Sequence, residues 1–246
     1  MIDAGTVGGD GSPGLTVAMH MSDGLVNAPT AAVFGLIAAI GLAIAASRAR
    51  ADLDERTAPM AGLVTAFVFA VQMINFPILP GASGHLLGGA LVAILVGPWV
   101  GSLCIAIVLV VQALLFADGG LTALGLNITN MALVGTFTGY AVAYALRRFA
   151  ARSRTGLLVT SFVAALISTV VASLAFVLEY AIGGAGGAGL GTVFSLMVGL
   201  HVLVGIGEGI ITAATVGAVA AVRPDLVYLL RGTPAVTLRT PGEAAP

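Results

Sequence analysis

Histidine is the residue type in this chain with the clearest chemical use, and the chain has three: His20, His85 and His201. Neutral imidazole is the commonest side-chain ligand of transition metals. His20 lies in a polar segment before the first apolar run and His85 in one between the second and third, whereas His201 lies inside a long apolar run. The first two are therefore candidates for one metal site. The competing interpretation is that each is a solvated loop histidine.

The geometry of such a site depends on whether Met19, the residue before His20, is the first residue of the mature chain. If the mature chain began at Met19, a free α-amine, the amide nitrogen of His20 and its imidazole would hold one cation in fused chelate rings. Nitrogen donors in a plane suit Ni(II), Cu(II) or similar ions, and His85 would supply the fourth nitrogen. Otherwise His20 belongs to a disordered leader.

His201 and Glu208 form a second pair of chemically capable residues. Seven residues turn a helix by about 700°, so both side chains fall on one stripe, about 10 Å apart. They predict either a polar track for a cation or proton, or hydrogen bonds between helices in the interior of a bundle.

The elements that position these residues follow from composition. Hydrophobic residues make up 59% of the 246 residues and charged residues only 9%, against about 25% charged residues in soluble domains. This excludes an ordinary soluble enzyme and favours an all-α, polytopic membrane protein. Seven apolar runs lie at about 29–47, 60–78, 86–97, 99–117, 124–146, 157–182 and 190–222. The third run is short, so it is either a span or half of a broken helix.

The basic residues set the expected orientation. All ten are arginines, and they lie between runs one and two, between runs five and six, and after run seven: Arg48, Arg50, Arg56, Arg147, Arg148, Arg152, Arg154, Arg223, Arg231 and Arg239. With about seven transmembrane helices, all ten fall on one side. The positive-inside rule then predicts the N-terminus outside and the C-terminus in the cytoplasm.

The absence of lysine excludes a nucleotide-binding motif that needs it. A P-loop requires Lys to reach the β- and γ-phosphates, and this chain has none. We therefore expect any ATP hydrolysis on a separate subunit. An intramembrane metal-dependent hydrolase is a rival, but it would need a motif such as His-Glu-x-x-His, which is missing.

Three regions are expected along the chain. Residues 1–18 are Gly-rich and without apolar periodicity, which predicts a disordered leader or a mis-called start. Residues 19–232 form the seven-helix membrane domain, and residues 233–246 form a disordered cytoplasmic tail.

Several segments together resemble the CbiM/NikM family, the substrate-binding (S) membrane components of energy-coupling factor ABC transporters for cobalt or nickel. They are Met19–Gly24, Gly84–Ala90, Gly97–Gly101, Leu115–Gly125, Asn127–Met131 and His201–Glu208. The resemblance covers about residues 19–232. It implies an S-component-like bundle in the bacterial cytoplasmic membrane that takes up Co²⁺ or Ni²⁺, is not itself an enzyme and has no permanently bound cofactor.

The resemblance also implies a ligand set and partners. The family's site, carried over, falls on Met19, His20 and His85, with Asn75 and Ser83 in the loop that shapes it. The partners implied are a transmembrane T component, two ABC ATPase subunits and a small accessory membrane subunit. In the family the metal-binding histidine is the second residue, so we expect translation to start at Met19.

Two choices stay open at this point. A vitamin-binding S component would share the architecture, but its pocket should be rich in aromatic residues, which make up only 6% of this chain. Cobalt and nickel both accept nitrogen ligands, and the sequence does not separate them.

Overall fold

The computed structural model describes residues 20–74, 76–79 and 82–232, with residues 76–79 and 82–84 described by their backbone. The helices are α1 (Ala28–Ala49), α2 (Thr57–Gln72), α3 (Gly89–Val96), α4 (Pro98–Leu115), α5 (Leu124–Asn127), α6 (Thr136–Ala145), α7 (Arg147–Ala150), α8 (Arg154–Gly183) and α9 (Leu190–Val222). A π-helical stretch, Ile128–Gly135, joins α5 to α6.

The fold is a helical bundle, as the composition predicts. Within the described residues, α1, α4, α8 and α9 are each long and apolar enough to cross a membrane, and α2 is a shorter apolar helix. The longest two, α8 and α9, pack against each other along their length. The protein is therefore a multi-pass membrane protein. The exact number of spans stays a prediction.

The third and fourth apolar runs are two helices that fold back on each other. Nine residues of one straight helix would span about 13.5 Å, yet a Cβ added to Gly101 would lie 3.2 Å from the main-chain carbon of Val92. The chain reverses at Gly97, whose φ of +90° favours glycine. Run three is thus a separate short helix, α3, and each of its residues is buried.

The second run ends earlier than its apolar residues suggest. We predicted a span over 60–78, but α2 ends at Gln72 and a two-stranded antiparallel hairpin follows, β1 (Phe76–Leu79) with β2 (Ala82–Gly84). Pro77 explains the difference, because the residue before a proline avoids the helical region and proline itself cannot donate a helical hydrogen bond. The prediction of a helix through residue 78 was wrong.

One contact near each end of α1 shows which segments lie at the same end of the bundle. Next to the start of α1, the Asn27 amide donates to the carbonyl of Gly183, the last residue of α8 (2.7 Å). Beyond its other end, the Tyr228 hydroxyl donates to Asp52 (3.3 Å). The 22 residues of α1 separate these contacts by about 33 Å. The segment 20–27 therefore lies at the end opposite the Arg-bearing loop after α1.

Candidate metal centre

His20 and His85 meet at the end of the bundle where α1 begins. Their ring centroids are 4.5 Å apart, with the ring planes tilted by 39°. Both residues are buried, with 4% and 2% of their surfaces exposed. The two histidines that the sequence marks as candidate ligands are thus brought into direct contact.

In each ring Nδ1 makes a hydrogen bond, which leaves Nε2 as the nitrogen available to a ligand. Nδ1 of His85 lies 2.9 Å from the carbonyl oxygen of Leu86. Because a carbonyl only accepts, Nδ1 bears the proton and Nε2 a bare lone pair. Nδ1 of His20 likewise lies 3.0 Å from Oδ1 of Asp118.

The remaining nitrogens are unsatisfied. Among the described residues, Nε2 of His20 and Nε2 of His85 are both buried without a hydrogen-bond partner. Buried polar atoms without a partner carry a free-energy penalty and need an explanation. Two adjacent unpaired imidazole nitrogens fit a metal ion, because a metal ligand is a neutral imidazole whose other nitrogen donates to an oxygen.

The protonation state also suits a cation. Burial, together with the neighbouring His20 ring, lowers the pKa of His85 to about 3, so this imidazole is neutral near pH 7. The hydrogen bond from His20 lowers the pKa of Asp118 below its ordinary value, so Asp118 is ionised there. The site therefore combines neutral nitrogen donors with one negative charge.

The orientation of His20 differs from the one that the predicted chelate requires. A ring closed through the amide nitrogen of His20 has six members only if Nδ1 binds the metal, yet here Nδ1 faces Asp118. The predicted chelate would therefore require Nδ1 of His20 to leave Asp118 and the ring to take another orientation.

The backbone beside His20 is held by a two-point amide contact. The Met21 amide donates to Oδ1 of Asn127 (2.8 Å), and Nδ2 of Asn127 donates to the Met21 carbonyl (3.1 Å). Gly119, with φ of +88°, lies so close to His20 that an added Cβ would come within 3.3 Å of the His20 Cβ. This pairing lays the segment around His20 across the loop that carries Asp118.

Asp118, which contacts His20, and Asn127, which contacts Met21, are neighbours of the site that we did not predict. The sequence places both on the predicted outer side, the side of His20 and His85. Their pairing with His20 and Met21 joins positions about a hundred residues apart. No local spacing could have indicated it.

The segment that carries His85 rests on two other helices. The Leu87 and Gly88 amides donate to Oε2 and Oε1 of Glu208, at 2.9 and 3.0 Å, and Nε2 of Gln72 donates to the Leu87 carbonyl (2.6 Å). Glu208 thus contacts the N-terminus of α3, whose first turn has free amides.

His201 and Glu208 are both buried, but they make separate contacts. Nδ1 of His201 donates to the carbonyl of Met197 in its own helix. Glu208 contacts the loop before α3 and, on α8, the hydroxyl of Thr169 (2.9 Å). No hydrogen bond joins His201 to Glu208 in the described part of the chain, so the two form no continuous hydrogen-bonded track there.

The other predicted site residues are less fully placed. Met19 and Asn75 lie outside the described residues. Ser83 lies in β2, where its backbone pairs with Pro77. Among the residues that the structure describes, no group of three or more His, Cys, Asp or Glu side chains is arranged to hold a metal ion. Further donors to an ion between His20 and His85 must be other groups.

Comparison with known proteins identifies the family. Residues 20–226 match the family model CbiM, described as the cobalt uptake substrate-specific transmembrane region. This chain belongs to the CbiM family. The match begins at His20 and includes His85, Asp118, Asn127 and Glu208.

Relatives and solved structures agree with this assignment. The chain is 40% identical to a putative fused nickel transport protein NikMN of Archaeoglobus fulgidus, over 85% of the chain and 68% of the relative. It is 32% identical to a cobalt transport protein CbiM of Sorangium cellulosum, over 87% and 96%. A crystal structure of a transition metal transporter superposes with a TM-score of 0.75 at 29% identity, covering 87% of this chain and all of that one.

Proposed function

We propose that this CbiM-family chain is the substrate-binding membrane component of an energy-coupling factor ABC transporter that takes up Co²⁺ or Ni²⁺. The observation that supports it best is the buried contact of His20 with His85, with an unpaired Nε2 on each ring. Cobalt and nickel transport are named for its relatives. Nitrogen donors of this kind suit both metals.

The proposed ligand set joins these two side chains to the chain segment before Met21. His85 donates through Nε2, and His20 through its imidazole and its amide nitrogen. The α-amine of Met19 completes a planar set of four nitrogens if Met19 is the first residue. Selectivity then comes from planar nitrogen geometry rather than from charge.

The orientation we propose places this site outside the cytoplasm. The N-terminus lies outside, the C-terminus lies in the cytoplasm, and the Arg-bearing loops face the cytoplasm, in accord with the positive-inside rule. The membrane is the bacterial cytoplasmic membrane. The metal is transported substrate, and the chain holds no permanent cofactor.

Energy is proposed to come from partner subunits. The chain has no lysine for a P-loop, so we place ATP hydrolysis on two ABC ATPase subunits. A transmembrane T component connects them to this chain, with a small accessory membrane subunit as a further partner. Release requires a conformational change that separates the donors.

Equilibrium binding of Ni²⁺ and Co²⁺ to the purified full chain tests the proposal. We expect one ion per chain and a drop in affinity of about 100-fold or more for His85→Ala, since one of four donors is lost, with about 1.4 kcal/mol for each tenfold. His201→Ala is the matched control, because it removes a buried histidine whose hydrogen bond, in the described part of the chain, is to Met197 within α9. Equal affinity of His85→Ala and the wild type would exclude this site.

A further inference from the structure

Glu208 contacts the peptide group that orients His85. The amide of Leu87 donates to Oε2 of Glu208 (2.9 Å). That amide and the carbonyl of Leu86 belong to one planar peptide unit. The same Leu86 carbonyl accepts the Nδ1 proton of His85 (2.9 Å).

These hydrogen bonds therefore connect Glu208 to His85 through one peptide unit, and they leave Nε2 of His85 unbonded. Glu208 accepts from the N–H at one end of the peptide unit, and the C=O at the other end accepts from His85. Hydrogen bonds in such a chain polarise one another, so an acceptor on the N–H strengthens the C=O as an acceptor. In metal sites a carboxylate or a backbone carbonyl commonly bonds the free nitrogen of a ligating histidine. Here the Leu86 carbonyl makes that bond, and the Glu208 carboxyl group accepts from the N–H of the same peptide unit.

Further hydrogen bonds hold the adjoining Leu87 and Gly88 in place. Oε1 of Glu208 accepts from the Gly88 amide (3.0 Å), and Gln72 donates to the Leu87 carbonyl (2.6 Å). On the far side, the Thr169 hydroxyl lies 2.9 Å from Oε2 of Glu208. Glu208 has 2% of its surface exposed, so these bonds are shielded from bulk solvent.

We propose that Glu208 is a positioning residue for the metal site: through the Leu86–Leu87 peptide it holds His85 in the Nδ1–H form, with Nε2 aimed at the ion. This deepens the proposed function and rests on it, because it takes His85 as a ligand. It assigns Glu208 a role distinct from a polar track. Glu208 itself does not contact the metal.

Glu208→Gln is the sharpest variant, because it keeps the size and removes one acceptor. Both carboxyl oxygens now face backbone N–H groups. In glutamine one of them becomes an NH₂ group, so a donor would face a donor and the segment would have to move. Glu179→Gln is the matched control. Glu179 is equally buried, and its hydrogen bond in the described part of the chain is with Asn130 on the π-helical stretch rather than with the His85 segment.

The experiment combines Ni²⁺ affinity with ¹⁵N NMR of the histidine rings in the metal-free, full-length chain. We expect Glu208→Gln to bind Ni²⁺ about 10- to 100-fold more weakly, the range for partners behind a ligand. We also expect His85 to lose its single Nδ1–H signature and show a mixture of tautomers. Glu179→Gln should match the wild type in both measurements, which a general loss of packing would not do.

A second pair of variants applies if Glu208→Gln does not fold. Thr169→Val removes the hydroxyl next to Glu208 at nearly constant shape, and Thr169→Ser retains it. We expect weaker binding for the valine variant and near-wild-type binding for the serine variant.

The outcomes separate this inference from the function beneath it. If His85→Ala abolishes binding but Glu208→Gln, or the Thr169→Val variant in its place, binds like the wild type with an unchanged His85 tautomer, the role of Glu208 is wrong. If His85→Ala binds normally, the metal site itself is wrong.

Discussion

The ring of His20 lies against the ring of His85, centroids 4.5 Å apart, and each ring bonds an oxygen through Nδ1. That shared pattern leaves two Nε2 atoms without partners in one buried place. Two unbonded acceptors side by side are unfavourable in an apolar interior, and a cation bound between them would relieve the penalty.

If both rings bind one ion, their substitutions should not be additive. We expect His20→Ala and His85→Ala each to weaken Ni²⁺ binding by about 100-fold or more, and the double variant to be little worse than either single one, as for residues that share a partner. Titration of the purified variants with Ni²⁺ measures this. Fully additive losses would show that the two histidines act at separate places.

Asp118 should matter although it need not touch the metal. In the ring orientation that the structure shows, its carboxylate accepts from Nδ1 of His20 and leaves Nε2 for the ion. Asp118→Asn should therefore weaken Ni²⁺ binding by about 10- to 100-fold, as for other partners of ligating histidines. Asp225→Asn is a suitable control, because Asp225 pairs with Arg223 (2.8 Å) near the opposite end of the bundle. Equal losses in the two variants would mean that the effect is not local to the site.

The stability of the metal-free protein should fall with acid in a way that depends on His85. Burial lowers the pKa of His85 to about 3 from 6.5, so the folded state stays neutral while the unfolded state takes up a proton. The contribution of this group to stability is complete above about pH 6.5. It is lost as the pH falls from there towards 3.

Thermal unfolding in detergent at several pH values measures this dependence. The midpoint should drop between pH 6.5 and 4 in the wild type and drop less in His85→Ala. Parallel curves for the two proteins would contradict a neutral, buried His85.

The sequence singled out His20 and His85 more readily than the groups around them. They stand out because histidine is scarce in this chain and both lie on the predicted side without arginine. Asp118 and Asn127 reach His20 and Met21 only through long-range contacts. For Glu208 the sequence left two interpretations open, a polar track with His201 or hydrogen bonds between helices, and its contact with the residues before α3 depends on how α9 crosses that helix.

The bounds of the helices were likewise predicted only in part. Apolar length predicted α9, at about 190–222 against the observed Leu190–Val222, because no proline interrupts that run. It predicted too long a second span, because residues 73–78 are apolar apart from Asn75, yet they include Pro77. The turn between α3 and α4 required the structure, since an apolar run on each side of Gly97 and Pro98 fits either a kinked helix or a reversal.

The last prediction concerns the nitrogen donors that precede Met21. In the proposed chelate the α-amine of Met19 is a ligand, and acetylation would replace this basic amine with an amide nitrogen. A chain that starts at Met19 should therefore bind Ni²⁺ about 100-fold or more tightly than the same chain with an acetylated α-amine. The d–d absorption should move as well, because the donor field changes from four nitrogens to three and another group.

Two controls isolate the effect of the amine. The chain has no lysine, so acetylation of amines is confined to the N-terminus, and a chain that starts at Met1 should bind Ni²⁺ equally well with and without the acetyl group. Intact-mass measurement confirms which N-terminus each preparation carries, and the same measurement on protein from its native source should give a chain beginning at Met19. Identical Ni²⁺ affinity of the chain that starts at Met19 before and after acetylation would remove the amine from the ligand set and leave Nε2 of His20 and Nε2 of His85 as the primary donors, in the ring orientation that the structure shows.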